Sequence, residues 1–124
     1  MSTNSVSESY LITLTAFDQE GDRVATPLVL ANSALANDKD VLLWLTMEGV
    51  ELAKKGAAET INTHSFAPVS ELLEIYIGNG GRIGVCPPCA KTHGVNDDNI
   101  IETAELMGAI AMLSETSGRQ TFSF

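Results

Sequence analysis

Basic residues are scarce in this chain: 7 lysines and arginines stand against 16 aspartates and glutamates, for a formal net charge of −9. A field of that sign repels phosphate backbones and anionic headgroups, so neither nucleic acid nor a membrane surface is expected as a partner. Also missing is any apolar run near the roughly 20 residues that a spanning helix needs. The start, MSTNSVSES, has neither the basic residues nor the apolar stretch of a secretory signal. A cytoplasmic protein is the expectation. In that compartment a structural disulfide is disfavoured, so the only two cysteines point to metal binding, reactivity or core filling. No GxxxxGK is present, and the turn FDQEGDR would offer a phosphate the carboxylates of Asp18, Glu20 and Asp22, which argues against a nucleotide cradle there. Internal repeats are absent as well.

What is present is apolar content of 44% in 124 residues, enough for one core. A single domain is expected over residues 10–124, behind a polar and flexible segment 1–9. YLITLTA (10–16) and VLLWLT (41–46) read as buried strands, and RIGV (82–85) as a third. Between them, 24–36 has helical spacing, with Pro27 tolerable if it lies in the first turn. Residues 49–55 suggest a short helix, 57–67 a loop, and 69–77 a helix ended by Gly78, Asn79, Gly80 and Gly81. Further on come a helix start near Pro88, a polar link over 92–98, a short element over 99–107, a helix over 109–116 and a last strand over 120–124. Apolar strands alternating with helices predict an α/β layer structure with a mainly parallel sheet.

In such sheets reactive groups gather beyond the carboxyl ends of the strands, and the third strand runs directly into VCPPCAKTHG, residues 85–94. Pro88 suits the first position of a helix, which leaves Cys86 just outside it. The amides of the first turn, beginning with Cys89 and Ala90, would there favour a thiolate on Cys86. A CxxC serves thiol oxidoreductases and zinc half-sites alike. For zinc the ligands on offer are Cys86, Cys89, His93 and the distant His64, with no second cysteine pair, so no metal is expected. Dithiol redox chemistry fits better, although the order of elements lacks the thioredoxin pattern, and two inert core cysteines are the plain alternative. His93 is a candidate for proton transfer to Cys86, or simply a polar residue near a helix end. Trp44, Met107 and Met112 read as core, with Trp44 also suited to a subunit interface.

The arrangement of YLITLTAFDQEGDRVATPLVLANSALANDKDVLLWLTMEGV, RIGVCPPCAKTHGV and ELMGAIAMLSETSGRQTFSF resembles the DsrE/DsrF/TusD-like proteins of sulfur relay. There a second strand leads into a short "GV" helix, a third strand ends in cysteine, and a glycine follows eight residues later, as Cys86 and Gly94 do here. The resemblance implies a three-layer α/β/α flavodoxin-like sandwich with a mainly parallel five-stranded sheet, and a homo-oligomer, expected as a trimer or hexamer. It implies a possible sulfurtransferase that holds sulfur as a persulfide on Cys86, exchanges it with donor and acceptor proteins, and uses no cofactor. Cys89 is additional to that pattern, either as a resolving thiol or as half of a thiol-disulfide redox switch, the alternative function.

Overall fold

The computed structural model describes residues 8–124, in which five segments become strands: β1 (Ser9–Leu14), β2 (Asp40–Leu45), β3 (Arg82–Val85), β4 (Ala104–Leu106) and β5 (Gln120–Ser123). They pair in the order β4-β3-β2-β1-β5, with every pair parallel. This is the expected five-stranded parallel sheet. Helices α1 (Gly21–Ala36), α2 (Val69–Gly78), α3 (Pro87–Thr92) and α4 (Ala109–Glu115) connect the strands, with 3-10 segments at Met47–Ala53 and Ala57–Thr60. Of the segment 1–9 expected to be flexible, residues 1–7 lie outside the described residues, and Ser9 already belongs to β1. Among the described residues no helix is long and apolar enough to cross a membrane.

Period-two alternation sorts the strand side chains onto two faces. Ile12, Leu14, Leu43, Leu45, Ile83 and Val85 point to one of them, where they meet Val24, Leu28 and Ala31 of α1 and Leu72, Leu73 and Tyr76 of α2. Each such fully buried aliphatic side chain contributes about 1.5–3 kcal/mol. The other face is thinner: Leu11, Leu42 and Met107 are buried there, with Trp44 and Met112 partly so. Helix α4 buries none of its residues, and Ile110 and Leu113 are 86% and 64% exposed. Polar contacts anchor it instead. Arg82 grips both Glu115 carboxylate oxygens, at 2.8 and 3.2 Å, and so holds that carboxyl below the usual range. Just beyond the helix, Arg119 reaches the Asp40 carboxylate at 2.7 Å and the Tyr10 carbonyl at 3.1 Å.

Helix α1 begins earlier than the apolar spacing suggested, at Gly21 rather than Val24, because a neighbouring loop shapes its start. A Cβ on Gly21 would stand 2.2 Å from the Asn62 carbonyl oxygen, and the Asp22 carboxylate accepts the backbone N–H groups of His64 and Ser65 at 2.9 and 3.2 Å. Pro27 consequently falls in the second turn, not the first. Its missing donor would have served the carbonyl of exposed Arg23, where water can take over. The 57–67 loop contains one 3-10 turn, and the last strand closes at Ser123.

Tyr76 carries the turn into β3. Its hydroxyl donates to the Arg82 carbonyl at 2.6 Å, and burial pushes the phenol well above its ordinary value. A Cβ at Gly81 would enter the Tyr76 ring at 2.3 Å, whereas one at Gly78 would meet nothing within 4 Å. Gly81→Ala should therefore cost about 1–3 kcal/mol through overpacking, while Gly78→Ala should be neutral or stabilise by up to about 1 kcal/mol. Urea unfolding midpoints of the two variants test this contrast, and equal effects would contradict it.

The Asp22 carboxyl, bonded first by the His64 amide, lies below its ordinary value of 3.8. A carboxyl with a depressed native pKa stabilises the fold fully above the unfolded value and loses that contribution as pH falls through the native one. The stability gap between wild type and Asp22→Asn should thus be widest above about pH 4 and close below it. Thermal melts across this range check the expectation; a gap constant from neutral pH down to about pH 2 would refute it.

Candidate functional site

The carboxyl ends of β1, β2 and β3 are brought level by the register Leu14↔Leu45↔Val85. Ladder bonds continue one step past the strands: the Thr46 N–H donates to the Leu14 carbonyl at 3.1 Å, and the Cys86 N–H to the Leu45 carbonyl at 2.9 Å. Thr46 and Cys86 therefore stand side by side at the sheet edge. After Thr46 the chain must turn sharply, since Gly49 lies against β1 so closely that a Cβ would be 2.2 Å from the Leu14 carbonyl oxygen. Met47 absorbs that turn with a φ of 52°, a left-handed conformation costly for a residue with a side chain.

Helix α3 starts one residue earlier than the sequence suggested, with Pro87 and Pro88 in its first positions and Cys86 at the cap. Both prolines fit where no donor is required. The Ala90 N–H, expected to face the Cys86 sulfur, is taken by the Cys86 carbonyl at 2.9 Å. At the far end, Gly94 takes a φ of 73° and the Val95 N–H returns to the Ala90 carbonyl at 2.8 Å, closing the helix in a Schellman turn. His93 is the residue held at that cap.

Cys86 and Cys89 are both free thiols, both half-buried, and both packed against the main core. The donors that favour a thiolate gather on Cys89. Thr46 Oγ1 lies 3.5 Å from Cys89 Sγ, across from β2. This hydroxyl is the chief cause that lowers the Cys89 thiol below its ordinary range, with smaller help from the Met47 backbone N–H and the Cys86 side chain; partial burial opposes them. Sequence reasoning had put the favoured thiolate on Cys86 and had not singled out Thr46 or Met47. A strand-end threonine is an ordinary strand residue, and a left-handed methionine has no sequence signature.

The remaining candidates fall elsewhere. His93 sits one helical turn beyond Cys89, and its Nδ1 lies 3.1 Å from Glu51 Oε2, with Lys54 Nζ 3.7 Å from the other oxygen of that carboxylate. The ring is thus tied to the 3-10 segment after β2. His64 is exposed in the loop bound by Asp22, remote in sequence and contacts from the thiols. Among the described residues, no group of three or more His, Cys, Asp or Glu side chains converges as a metal site would require. Trp44 donates its indole N–H to the Met107 carbonyl at 3.0 Å and packs on the thin face of the sheet.

A sequence model of the DsrE/DsrF-like family matches residues 8–117. An uncharacterized protein of Methanopyrus kandleri is 35% identical over 85 residues, covering 68% of this chain and 67% of that protein. The chain belongs to the DsrE/DsrF-like family. A second uncharacterized relative, from Methanocaldococcus jannaschii, is 28% identical over 112 residues; that match takes 90% of this chain but only 40% of the relative's length. Among solved structures, the ychN protein from E. coli superposes with a TM-score of 0.78 at 16% identity, over 94% of this chain and 99% of that one. A conserved protein of unknown function from Bacteroides thetaiotaomicron gives 0.68 at 19% identity, over 98% and 100%. At such identities the likeness concerns the fold alone, and it agrees with the DsrE-like α/β architecture described above.

Gly94 fixes the far end of α3, since its left-handed turn terminates the helix and sets His93 at the cap. Gly94→Ala is expected to cost about 1–2 kcal/mol through that backbone conformation. Chemical denaturation measures it, and an unchanged midpoint would show that the turn relaxes freely.

Proposed function

We propose that this DsrE/DsrF-like protein carries sulfur as a persulfide on Cys86 and passes it to an acceptor thiol, as a sulfurtransferase in a reducing compartment such as the cytoplasm. One observation carries the reading: two free cysteines, one at the cap of α3 and one in its first turn, stand at the carboxyl edge of the parallel sheet in a chain of this family. The chemistry asks for little. The Cys86 sulfur attacks the outer sulfur of a donor persulfide, the donor leaves as a thiolate, and the reverse step on an acceptor thiol delivers the cargo. No cofactor enters these steps. Donor and acceptor are thiol-bearing proteins that dock over the strand ends.

The second reading, a thiol-disulfide switch, is favoured by the placing of Cys89 in the helical turn that Cys86 caps. Intact-mass measurement after treatment with a persulfide donor separates the two. One added sulfur, retained or transient, that Cys86→Ser abolishes supports the carrier; loss of two hydrogens with no sulfur adduct at any time supports the switch.

Assembly of like chains into a trimer or hexamer belongs to the same proposal. The exposed apolar side chains of α4, over a sheet face that buries only a small cluster, support a self-associating surface there. Sedimentation should find an oligomer in the wild type, and Ile110→Glu should shift it toward monomer without lowering helix content. A wild-type monomer at micromolar concentration would remove the assembly.

A further inference from the structure

The Cys89 sulfur is held from two sides by groups the carrier reading does not use. Thr46, at the end of β2, places its hydroxyl 3.5 Å away. Met47 presents a backbone N–H from a left-handed conformation that nothing in its own side chain favours; the strain is imposed by the close approach of Gly49 to the Leu14 carbonyl. Cys86 stands at the cap of α3, half-buried, with no side-chain hydrogen bond among the described residues.

We propose that Thr46 and Met47 form a thiolate cradle that makes Cys89 the resolving nucleophile of the pair, so that sulfur loaded on Cys86 leaves as hydrosulfide while a Cys86–Cys89 disulfide forms. The inference rests on the persulfide reading and specifies the fate of its cargo. In the loading step Cys86 gives its proton to water, its sulfur bonds to the donor's outer sulfur, the donor's S–S bond breaks and the donor departs as a thiolate. Cys89 stands ready as an anion against the Thr46 hydroxyl. It attacks the Cys86 Sγ; the new S–S bond joins the two cysteines, the persulfide bond breaks, and hydrosulfide carries off the electron pair. The transferred sulfur is reduced to sulfide, and the two cysteines are oxidised by the same two electrons. A dithiol reductant, itself converted to a disulfide, restores the pair.

The first turn of α3, with Cys86 at the cap and Cys89 three residues on, supplies the proximity such an internal attack needs. Thr46 acts as a positioning residue: it touches neither donor nor cargo, and its effect is felt through the charge on Cys89. A protein built this way is a sulfide-releasing reductase of sulfane sulfur, whose persulfide is short-lived unless an acceptor arrives first.

The test loads full-length reduced protein with glutathione persulfide and follows free hydrosulfide and intact mass together. Wild type should release about one hydrosulfide per chain and end two hydrogens lighter, by the stoichiometry of the exchange. Cys89→Ser should keep the added sulfur and release none. Thr46→Val should slow release about tenfold at neutral pH and move its pH midpoint up by about one unit, the equivalence of a tenfold change and one pKa unit. Thr46→Ser, which retains the hydroxyl, should restore both and shows that the valine effect is not misfolding. Hydrosulfide release from Cys89→Ser at the wild-type rate, or an unmoved midpoint in Thr46→Val, would overturn the proposal. If no form of the protein gains sulfur, the carrier reading itself fails. The cradle is then judged separately by the pH profile of iodoacetamide alkylation in Cys86→Ser, whose midpoint must rise when Thr46→Val is added.

Discussion

Gly49 lies against the carbonyl oxygen of Leu14 at a distance that admits no side chain, and the geometry of the strand ends depends on that contact. It pins the 3-10 segment across the end of β1, so the chain leaving β2 has no room for a gradual turn. Met47 takes up the difference as a left-handed residue, and the Thr46 hydroxyl is left 3.5 Å from the Cys89 sulfur. Local backbone strain stored in this way persists only where the surroundings over-determine it. Here the parallel ladder on one side and the main core beneath supply that rigidity: Val50, Leu52 and Ala53 of the same segment are fully buried. A functional group on such a base keeps its position without a loop having to close over it.

The two faces of the sheet divide the labour. One is a complete core in which α1 and α2 meet the strands; the other rests on a small cluster around Trp44 and Met107, with α4 tethered by arginines. Ion pairs at half-exposed positions contribute little net stability but fix orientation. The tether therefore presents the apolar side of α4 outward in a set pose. An apolar helix held in place by charge is suited to meeting a partner, because no core contact has to be broken when it does.

Much of this was legible from residue pattern. The strands at 10–16, 41–46 and 82–85 were marked by continuous apolar runs, and each is a strand in the structure within a residue or two, because a sheet covered on both sides leaves no alternation to read. The position of Cys86 beyond β3 followed from the same pattern. What failed to show were features set by contacts distant in sequence. The start of α1 moved because Asn62 and the loop after it press on Gly21, which also carried Pro27 into the second turn. The cradle of Cys89 was invisible because it joins Thr46 to a residue 43 positions away, through a turn whose left-handed member is a methionine. The Glu51 carboxylate beside the His93 ring was equally hidden, a pairing across 42 positions that spacing alone cannot suggest.

Strand β5 pairs in parallel with β1, and the Thr15 hydroxyl bonds the Phe124 carbonyl across 109 residues of chain. During synthesis the outer edge of β1 must wait for that whole length to be made before it gains its second neighbour. Closing so long a loop costs entropy that local contacts do not repay, so this pairing belongs among the last events of folding. Until then Tyr10 and Ile12 lie on an open strand edge, able to pair with another nascent chain. The tyrosine that meets Phe122 at 5.7 Å between ring centroids in the finished sheet is, for the growing polypeptide, an exposed seam. Crowded translation on one messenger would then be the condition under which this fold is most prone to joining the wrong copy.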